Sequence, residues 1–226
     1  MPAFGMPPAV LWDMDGTLID SEKLWDISLA DLADHLGGGL DADTRASMVG
    51  SNMEATVRIM FRALELDPEP QALAKAAYWL TDRTRELFQG ELRWRPGARQ
   101  ALAALRAAGV PMALVTSTER ALTEVALDTI GRDFFQTTVC GDEVDGHHKP
   151  HPRPYLSAAR RLGVDPRQCV AVEDSPTGMR SALAAGCRVI VVPSEVPIER
   201  GDGWVVRASL VGVDAGTIAA IAAAAG

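Results

Sequence analysis

Four short apolar runs punctuate the chain, and each stops at a polar or turn-forming residue. Ala9-Val10-Leu11-Trp12 ends at Asp13, Met112-Ala113-Leu114-Val115 at Thr116, Cys169-Val170-Ala171-Val172 at Glu173, and Arg188-Val189-Ile190-Val191-Val192 at Pro193. Runs of this length that are apolar throughout suit strands buried on both faces, as in a parallel sheet. A buried helical turn would give the same run, but helix-like stretches lie between these. Ala98, Leu102 and Leu105 recur at helical spacing in ARQALAALRAAG and stop at Gly109. PYLSAARRLG stops at Gly163 and TGMRSALAAG at Gly186, each with a strand-like run just beyond. Helix, glycine and short apolar strand thus recur, as βαβ crossovers do. The expected fold is α/β, with a doubly wound, mostly parallel Rossmann-like sheet. Such sheets bind ligands at the C-terminal ends of their strands.

Residues 21–93 read differently. DISLADLADHLGG, TRASMVGSNMEATVRIMFRALEL and QALAKAAYWLTDRTRELFQ have helical patterns with no strand between them. A helical block placed straight after the first strand predicts a small cap domain. The core domain would then comprise residues 1–20 and 94–226, with Arg93 to Gly97 as the return linker and hinges near Asp20 and near Arg95-Pro96-Gly97. The length of 226 residues fits a core plus an insert, since one domain averages roughly 150 residues.

Composition narrows the function classes. Hydrophobic residues make up 47% and charged residues 23%, which supports a packed core rather than disorder. The formal net charge of −8 disfavours a nucleic-acid partner, because phosphate backbones are held by Lys and Arg. It leaves room for a small phosphorylated substrate, which needs only local positive charge. Cys140, Cys169 and Cys187 are too few and too scattered for a disulfide framework or a zinc site, so they read as small core residues in a reduced cytoplasm. MPAFGMPPAVLW lacks a basic start and is broken by Pro2, Pro7 and Pro8, unlike a signal peptide. No stretch approaches the ~18 apolar residues of a membrane span. The Ala-rich end, TIAAIAAAAG, reads as a terminal helix or a frayed tail. Nothing demands a dimer, so a monomer or weak homodimer is expected.

The chemistry gathers at the strand ends. Asp13-Met14-Asp15-Gly16-Thr17 follows the first run, and Gly16 permits a turn that brings both carboxylates to one cleft. Such a pair can divide nucleophile from acid–base work, hold a divalent cation, or simply cap a turn. Thr116-Ser117-Thr118 follows the second run, where hydroxyls and amides can hold a phosphate oxygen or cap a helix. Lys149 lies in a Pro-rich loop, flanked by His147, His148 and His151, which suit a solvated or loop-packing role. Glu173-Asp174 ends the third run, and adjacent acids at a buried strand end are costly unless paired or bound to metal. Three independent caps and one surface lysine would rarely fall in this order.

DMDGTLIDSE, LVTST, KPHPRPYL and VAVEDSPTGMRSALAAG resemble, in order, the four motifs of the haloacid-dehalogenase-like superfamily. The similarity runs from residue 13 to 186. The helical insert is similar to that of the branch holding β-phosphoglucomutase, phosphoglycolate phosphatase and the sugar- and hexitol-phosphate phosphatases. The resemblance implies Asp13 as nucleophile and Asp15 as the acid that protonates the leaving alkoxide and then activates water. It implies Mg²⁺ at Asp13, the Asp15 carbonyl and Asp174, with Glu173 directly or through water. Gly16, Thr116 and Ser117 would bind the phosphate, and Lys149 would neutralise nucleophile and transferring group.

The implied reaction is hydrolysis of a small phosphorylated sugar, polyol or related metabolite through an aspartyl-phosphate, with a phosphomutase as the alternative. Mutases of this kind carry a cap histidine near the position of Trp25 and an arginine after the cap glycine, where Met53 stands if Gly50 is that glycine. A 2-haloacid dehalogenase would lack Asp15, and a binding protein that kept only the fold would not need all four motifs. Specificity is expected from the cap, with Glu22, Trp25, Asn52 and Arg58 facing the cleft. Trp25 would be a sugar-stacking ring or, by its helical spacing, a packing residue.

Overall fold

Each apolar run becomes a strand of one sheet in the structure, a computed structural model that describes residues 9–90 and 92–223. The strands are β1 (Ala9–Trp12), β2 (Met112–Val115), β3 (Thr137–Val139), β4 (Cys169–Glu173), β5 (Arg188–Val191) and β6 (Trp204–Val206). All pairs are parallel, in the order β3-β2-β1-β4-β5-β6. The N-terminal stretch read as unlike a signal peptide lies largely outside the described residues, as do the last three residues of the Ala-rich end.

Alternation along β1 explains why the runs are apolar throughout. Val10 and Trp12 face one side, where they pack with Leu102 and Leu105 of α5 (Ala98–Ala107), Leu127 of α6 (Arg120–Ile130) and Ile218 of α9 (Ala215–Ala223). Ala9 and Leu11 face the other side, against Tyr155 and Ala158 of α7 (Arg153–Leu162) and Ala182 of α8 (Pro176–Ala184). A strand sandwiched between two helix layers has no wet face, so it carries no polar alternation. Four of the six strands were visible for that reason. β3 and β6 are short outer strands, and Thr137, Thr138 and Val205 are partly exposed.

Between β1 and α5 the described chain is helical: α1 (Glu22–His35), α2 (Ala42–Met48), α3 (Met53–Ala63) and α4 (Pro70–Phe88). Their apolar faces form a separate cluster around Leu29, Leu32, Met60, Phe61 and Leu80. The stretch 44–66, read as one helical pattern, is two helices with a break at 49–52. Gly50 turns at φ +71°, and the Asn52 carboxamide accepts the Ala55 amide to start α3, which a continuous helix cannot accommodate. The insert joins the sheet through paired segments. The Asp20 amide donates to the Arg93 carbonyl (2.7 Å) and the Arg95 amide to the Leu18 carbonyl (2.9 Å). Among the described residues no helix is long and apolar enough to cross a membrane. All three cysteines are buried and free.

Candidate active site

Register brings the polar strand ends together. Trp12 lies opposite Leu114 on β2 and Val172 on β4, so Asp13, Thr116 and Glu173 emerge at one end of three adjacent strands. The chain then turns through Gly16 at φ +73°. A Cβ at Gly16 would stand 2.1 Å from Asp174 Oδ2, so only glycine lets the second acidic pair approach this turn. Gly178 is needed in the same way, because a Cβ there would fall 1.9 Å from Glu173 Oε1.

Lys149 is the hub of the lower site. Its ammonium donates to Asp13 Oδ1 (2.7 Å), Glu173 Oε1 (2.6 Å) and the Val115 carbonyl (3.0 Å), which uses all three of its protons. Glu173 is fully buried, and Tyr155 donates its phenol proton to Oε1 (2.5 Å). The Asp174 amide and the Ser175 hydroxyl donate to Glu173 Oε2, each at 3.3 Å. Glu173 is therefore satisfied by the protein itself. Asp13 is not: its buried Oδ2 has no partner among the described residues.

One cation faces three buried acids here. Oxygens of Asp13, Glu173 and Asp174 lie within 4.8 Å of one another. Burial raises the Asp13 carboxyl to about 7, against the opposing pull of Lys149. Burial, with the neighbouring acids, also raises Asp174 well above the usual carboxylate range. The two acids and an ammonium held above its ordinary range by Asp13 and Glu173 leave a deficit of positive charge. An unpartnered buried oxygen in an all-oxygen acidic set fits a hard divalent cation. Asp13 and Asp174 are the residues with oxygen left to offer it, and Glu173 supports Lys149 beside them.

Asp15 is held separately, by four donors. Ser21 Oγ (2.6 Å) and Trp25 Nε1 (3.2 Å) donate to its Oδ1, and Thr118 Oγ1 (2.7 Å) and Thr116 Oγ1 (3.3 Å) to its Oδ2. The two carboxylates of Asp-x-Asp thus have different partners, which fits two groups with different tasks. Ser117 faces the cleft with no recorded partner for its hydroxyl or amide among the described residues.

One cleft gathers Asp13, Asp15, Thr116, Ser117, Lys149 and Asp174 on the sheet side. Glu22 and Trp25 line it from the helical insert. Gly16, expected to bind the phosphate, is not among the lining residues. Two further expected cleft residues are elsewhere. Asn52 is spent on capping α3, and Arg58 sits on the outer face of α3 in an exposed pair with Glu54 at 3.0 Å. Helical spacing alone does not say which face turns inward. Trp25 has a part that spacing did not show: its indole N–H reaches Asp15 while its ring meets Phe88 edge-on at 6.1 Å. His147 and His151 lie with their rings 4.6 Å apart and tilted by 55°, and do not line the cleft.

Sequence reasoning left out several members. Thr118 is the third hydroxyl of Thr116-Ser117-Thr118, Ser21 lies in IDSE and Tyr155 in KPHPRPYL, so their signal was present in the quoted motifs. Arg45 carried no signal. It reaches the cleft from α2, where its guanidinium donates to Glu22 (2.7 Å) and Asp26 (2.5 Å). Burial raises the Glu22 carboxyl and Arg45 opposes the rise.

A doubly wound α/β sheet with a helical insert after its first strand, and with Asp-x-Asp, lysine and Glu-Asp converging at the strand ends, defines a carboxylate-based hydrolase. Residues 7–186 match the haloacid dehalogenase-like hydrolase family. Hexitol phosphatase B from Escherichia coli (strain K12) is 34% identical over 195 residues, covering 82% of this chain and 83% of that protein. Fructose-1-phosphate phosphatase YqaB, also from Escherichia coli (strain K12), is 34% identical over 196 residues, covering 81% and 95%. CbbY from Rhodobacter sphaeroides in complex with phosphate superposes with a TM-score of 0.81 at 29% identity, covering 92% and 96%. A CbbY mutant solved with xylulose-(1,5)bisphosphate gives 0.80 at the same identity and coverage. The chain belongs to the haloacid dehalogenase-like hydrolases, and its relatives put it among that family's phosphatases.

Proposed function

We propose that this protein hydrolyses the phosphomonoester of a small sugar or polyol, with Mg²⁺ as cofactor and Asp13 as nucleophile. The observation that carries the reading is Asp13 itself, one oxygen fixed by Lys149 and the other buried and unpartnered. Asp13 attacks phosphorus, the P–O ester bond breaks, and the leaving alkoxide takes a proton from Asp15. Asp15 then takes a proton from water, whose oxygen attacks the aspartyl-phosphate, releasing phosphate and regenerating Asp13. Mg²⁺ held by Asp13 and Asp174 would supply positive charge to the phosphoryl oxygens. Lys149 supplies fixed charge on the other side of Asp13, and Thr116 and Ser117 offer donors to the same oxygens. The acid role requires Asp15 to carry the proton when the leaving group departs; its contacts fix the side chain's position, and the Ser21, Thr116 and Thr118 hydroxyls can turn to accept from the protonated form.

In the same reading, helices within 21–93 act as a cap over a core of 1–20 and 94–226. The paired crossings at Asp20–Arg93 and Leu18–Arg95 are the hinge, and closure excludes water while the aspartyl-phosphate forms. Trp25 ties cap position to Asp15. Two observations weigh against the mutase alternative. Trp25 lines the cleft near the position expected for the mutase histidine, and the apolar Met53 lines it where an arginine would be expected if Gly50 is the cap glycine.

The test is phosphate release across hexose, hexitol and glycolate phosphates. Release with Mg²⁺, its loss with EDTA and its return on adding Mg²⁺ are the expected results. Isomerisation of β-glucose 1-phosphate with little free phosphate would overturn the hydrolase reading.

Metal binding should also be visible in stability. A carboxyl raised in the folded state stabilises the metal-free protein at low pH, and that contribution is lost as pH rises through the folded value. For Asp13 the window runs from 3.8 to about 7. Mg²⁺ needs the ionised form, so the rise in Tm that it causes should be larger at pH about 8 than at pH about 6. An equal rise at both pH values, or none, would remove Asp13 from the metal site.

A further inference from the structure

We propose that the insert side of the cleft selects for a substrate whose distal part is uncharged and hydroxylated, and rejects a second phosphate, with the Glu22–Arg45–Asp26 cluster as the selecting element. The inference rests on the phosphatase reading above and names the substrate class within it.

The argument is one of charge already spent. Among the described residues only two cations line the cleft, Arg45 and Lys149. Lys149 is consumed by Asp13, Glu173 and the Val115 carbonyl. Arg45 gives two of its five N–H donors to Glu22 at 2.7 Å and Asp26 at 2.5 Å, so two carboxylates already compensate its charge. Its side chain is only 16% exposed and that of Glu22 only 8%, so the pair is largely desolvated and locked in place. One positive charge against two negative ones leaves the cluster net negative, although only Glu22 and Arg45 line the cleft and Asp26 is half-exposed outside the lining. Glu119, another acid, also lines the cleft. A phosphate entering the distal end would meet Glu22 and Glu119 and no cation that is not already compensated by carboxylates, and such a juxtaposition is costly in a partly desolvated cleft.

The same wall suits hydroxyl groups. Glu22 Oε2 takes the Arg45 proton, and among the described residues nothing donates to Oε1, which leaves an acceptor for a substrate O–H. Ser51 and Thr56 line the cleft as a hydroxyl pair 2.6 Å apart, able to donate or accept. Acceptors and neutral hydroxyls without a free cation match a polyol chain. Arg45 then acts as a strut that holds Glu22 in its place, rather than as an anion receptor. CbbY, similar in fold, has been solved with a bisphosphate, so the distinction separates this chain from at least one relative.

The test measures kcat/KM for p-nitrophenyl phosphate, fructose 1-phosphate and fructose 1,6-bisphosphate, in the wild type and in Glu22→Gln/Asp26→Asn. In the wild type the monophosphate should exceed the bisphosphate by about tenfold or more, mainly through KM. The double variant frees the Arg45 charge and should narrow that ratio, with turnover of p-nitrophenyl phosphate showing that the variant is folded and competent. Equal wild-type use of the two fructose phosphates would overturn the selectivity while leaving the phosphatase reading intact. No turnover of any of the three would overturn the phosphatase reading itself. A variant that turns over p-nitrophenyl phosphate with the wild-type ratio unchanged would overturn the role of the cluster.

Discussion

Asp13→Asn is expected to stop turnover, by on the order of 10⁴-fold or more, without weakening the fold. An amide cannot attack phosphorus to give an acyl phosphate that water then hydrolyses, so both half-reactions are lost. Loss of activity alone would not separate chemistry from collapse, and the site's charges make that separation possible. Asp13 is one of three buried acids around a single ammonium, and burial has raised its carboxyl to about 7. The ionised form is therefore disfavoured in the metal-free protein. Removing that charge leaves Lys149 paired with Glu173 at 2.6 Å, and the new amide N–H₂ replaces an oxygen that had no partner. In EDTA at pH about 8, the variant should melt no lower than the wild type. With Mg²⁺ it should lose most of the stabilisation that the wild type gains. Turnover within about tenfold of wild type would overturn the assignment of the nucleophile.

The parts of this arrangement that the sequence disclosed are those fixed by the sheet. β1, β2, β4 and β5 are buried on both faces, so they appear as unbroken apolar runs, and the first polar residue after a run marks the end at which the site lies. Asp13, Thr116 and Glu173 follow from that rule, Asp15, Ser117 and Asp174 lie within two residues of them, Lys149 stood out in its Pro-rich loop, and the motif resemblance added the role expected of each. β3 and β6 were hidden because outer strands such as Thr137–Val139 need no continuous apolar run. The insert was legible as helices but not as a surface. Which side chain meets the cleft depends on how α1, α2 and α3 rotate against one another, and periodicity carries no such information. Arg45 therefore went unseen, while Asn52 and Arg58 were placed in a cleft they do not line. Asn52 shows the ambiguity most clearly: the residue type that suits a ligand contact is also the one that starts a helix.

Lys149→Met carries the second large effect, and it follows from the same imbalance. Methionine has similar length and no charge, so the packing against Tyr155 changes little while three acceptors lose their donor. Removing one partner of a buried ion pair typically costs about 3–5 kcal/mol, because the charge left behind has neither water nor counter-ion. Here Asp13, Glu173 and Asp174 are all left behind, at side-chain exposures of 8% for Asp13 and 0% for Glu173. Turnover should fall by about 10²–10³-fold, the scale of losing one fixed charge at the transferring group. The stability loss should depend on pH, with a sign that can be worked out. Without the ammonium, the Asp13 carboxyl rises further above about 7, so protonation restores neutrality in the folded state. Stability linked to a raised carboxyl is present at low pH and lost as pH rises through the folded value. The deficit in Tm against wild type should therefore be large at pH about 8 and shrink at pH about 5. A deficit of the same size at both pH values would mean that Lys149 acts through its packing on Tyr155, and the charge argument for the whole lower site would fall with it.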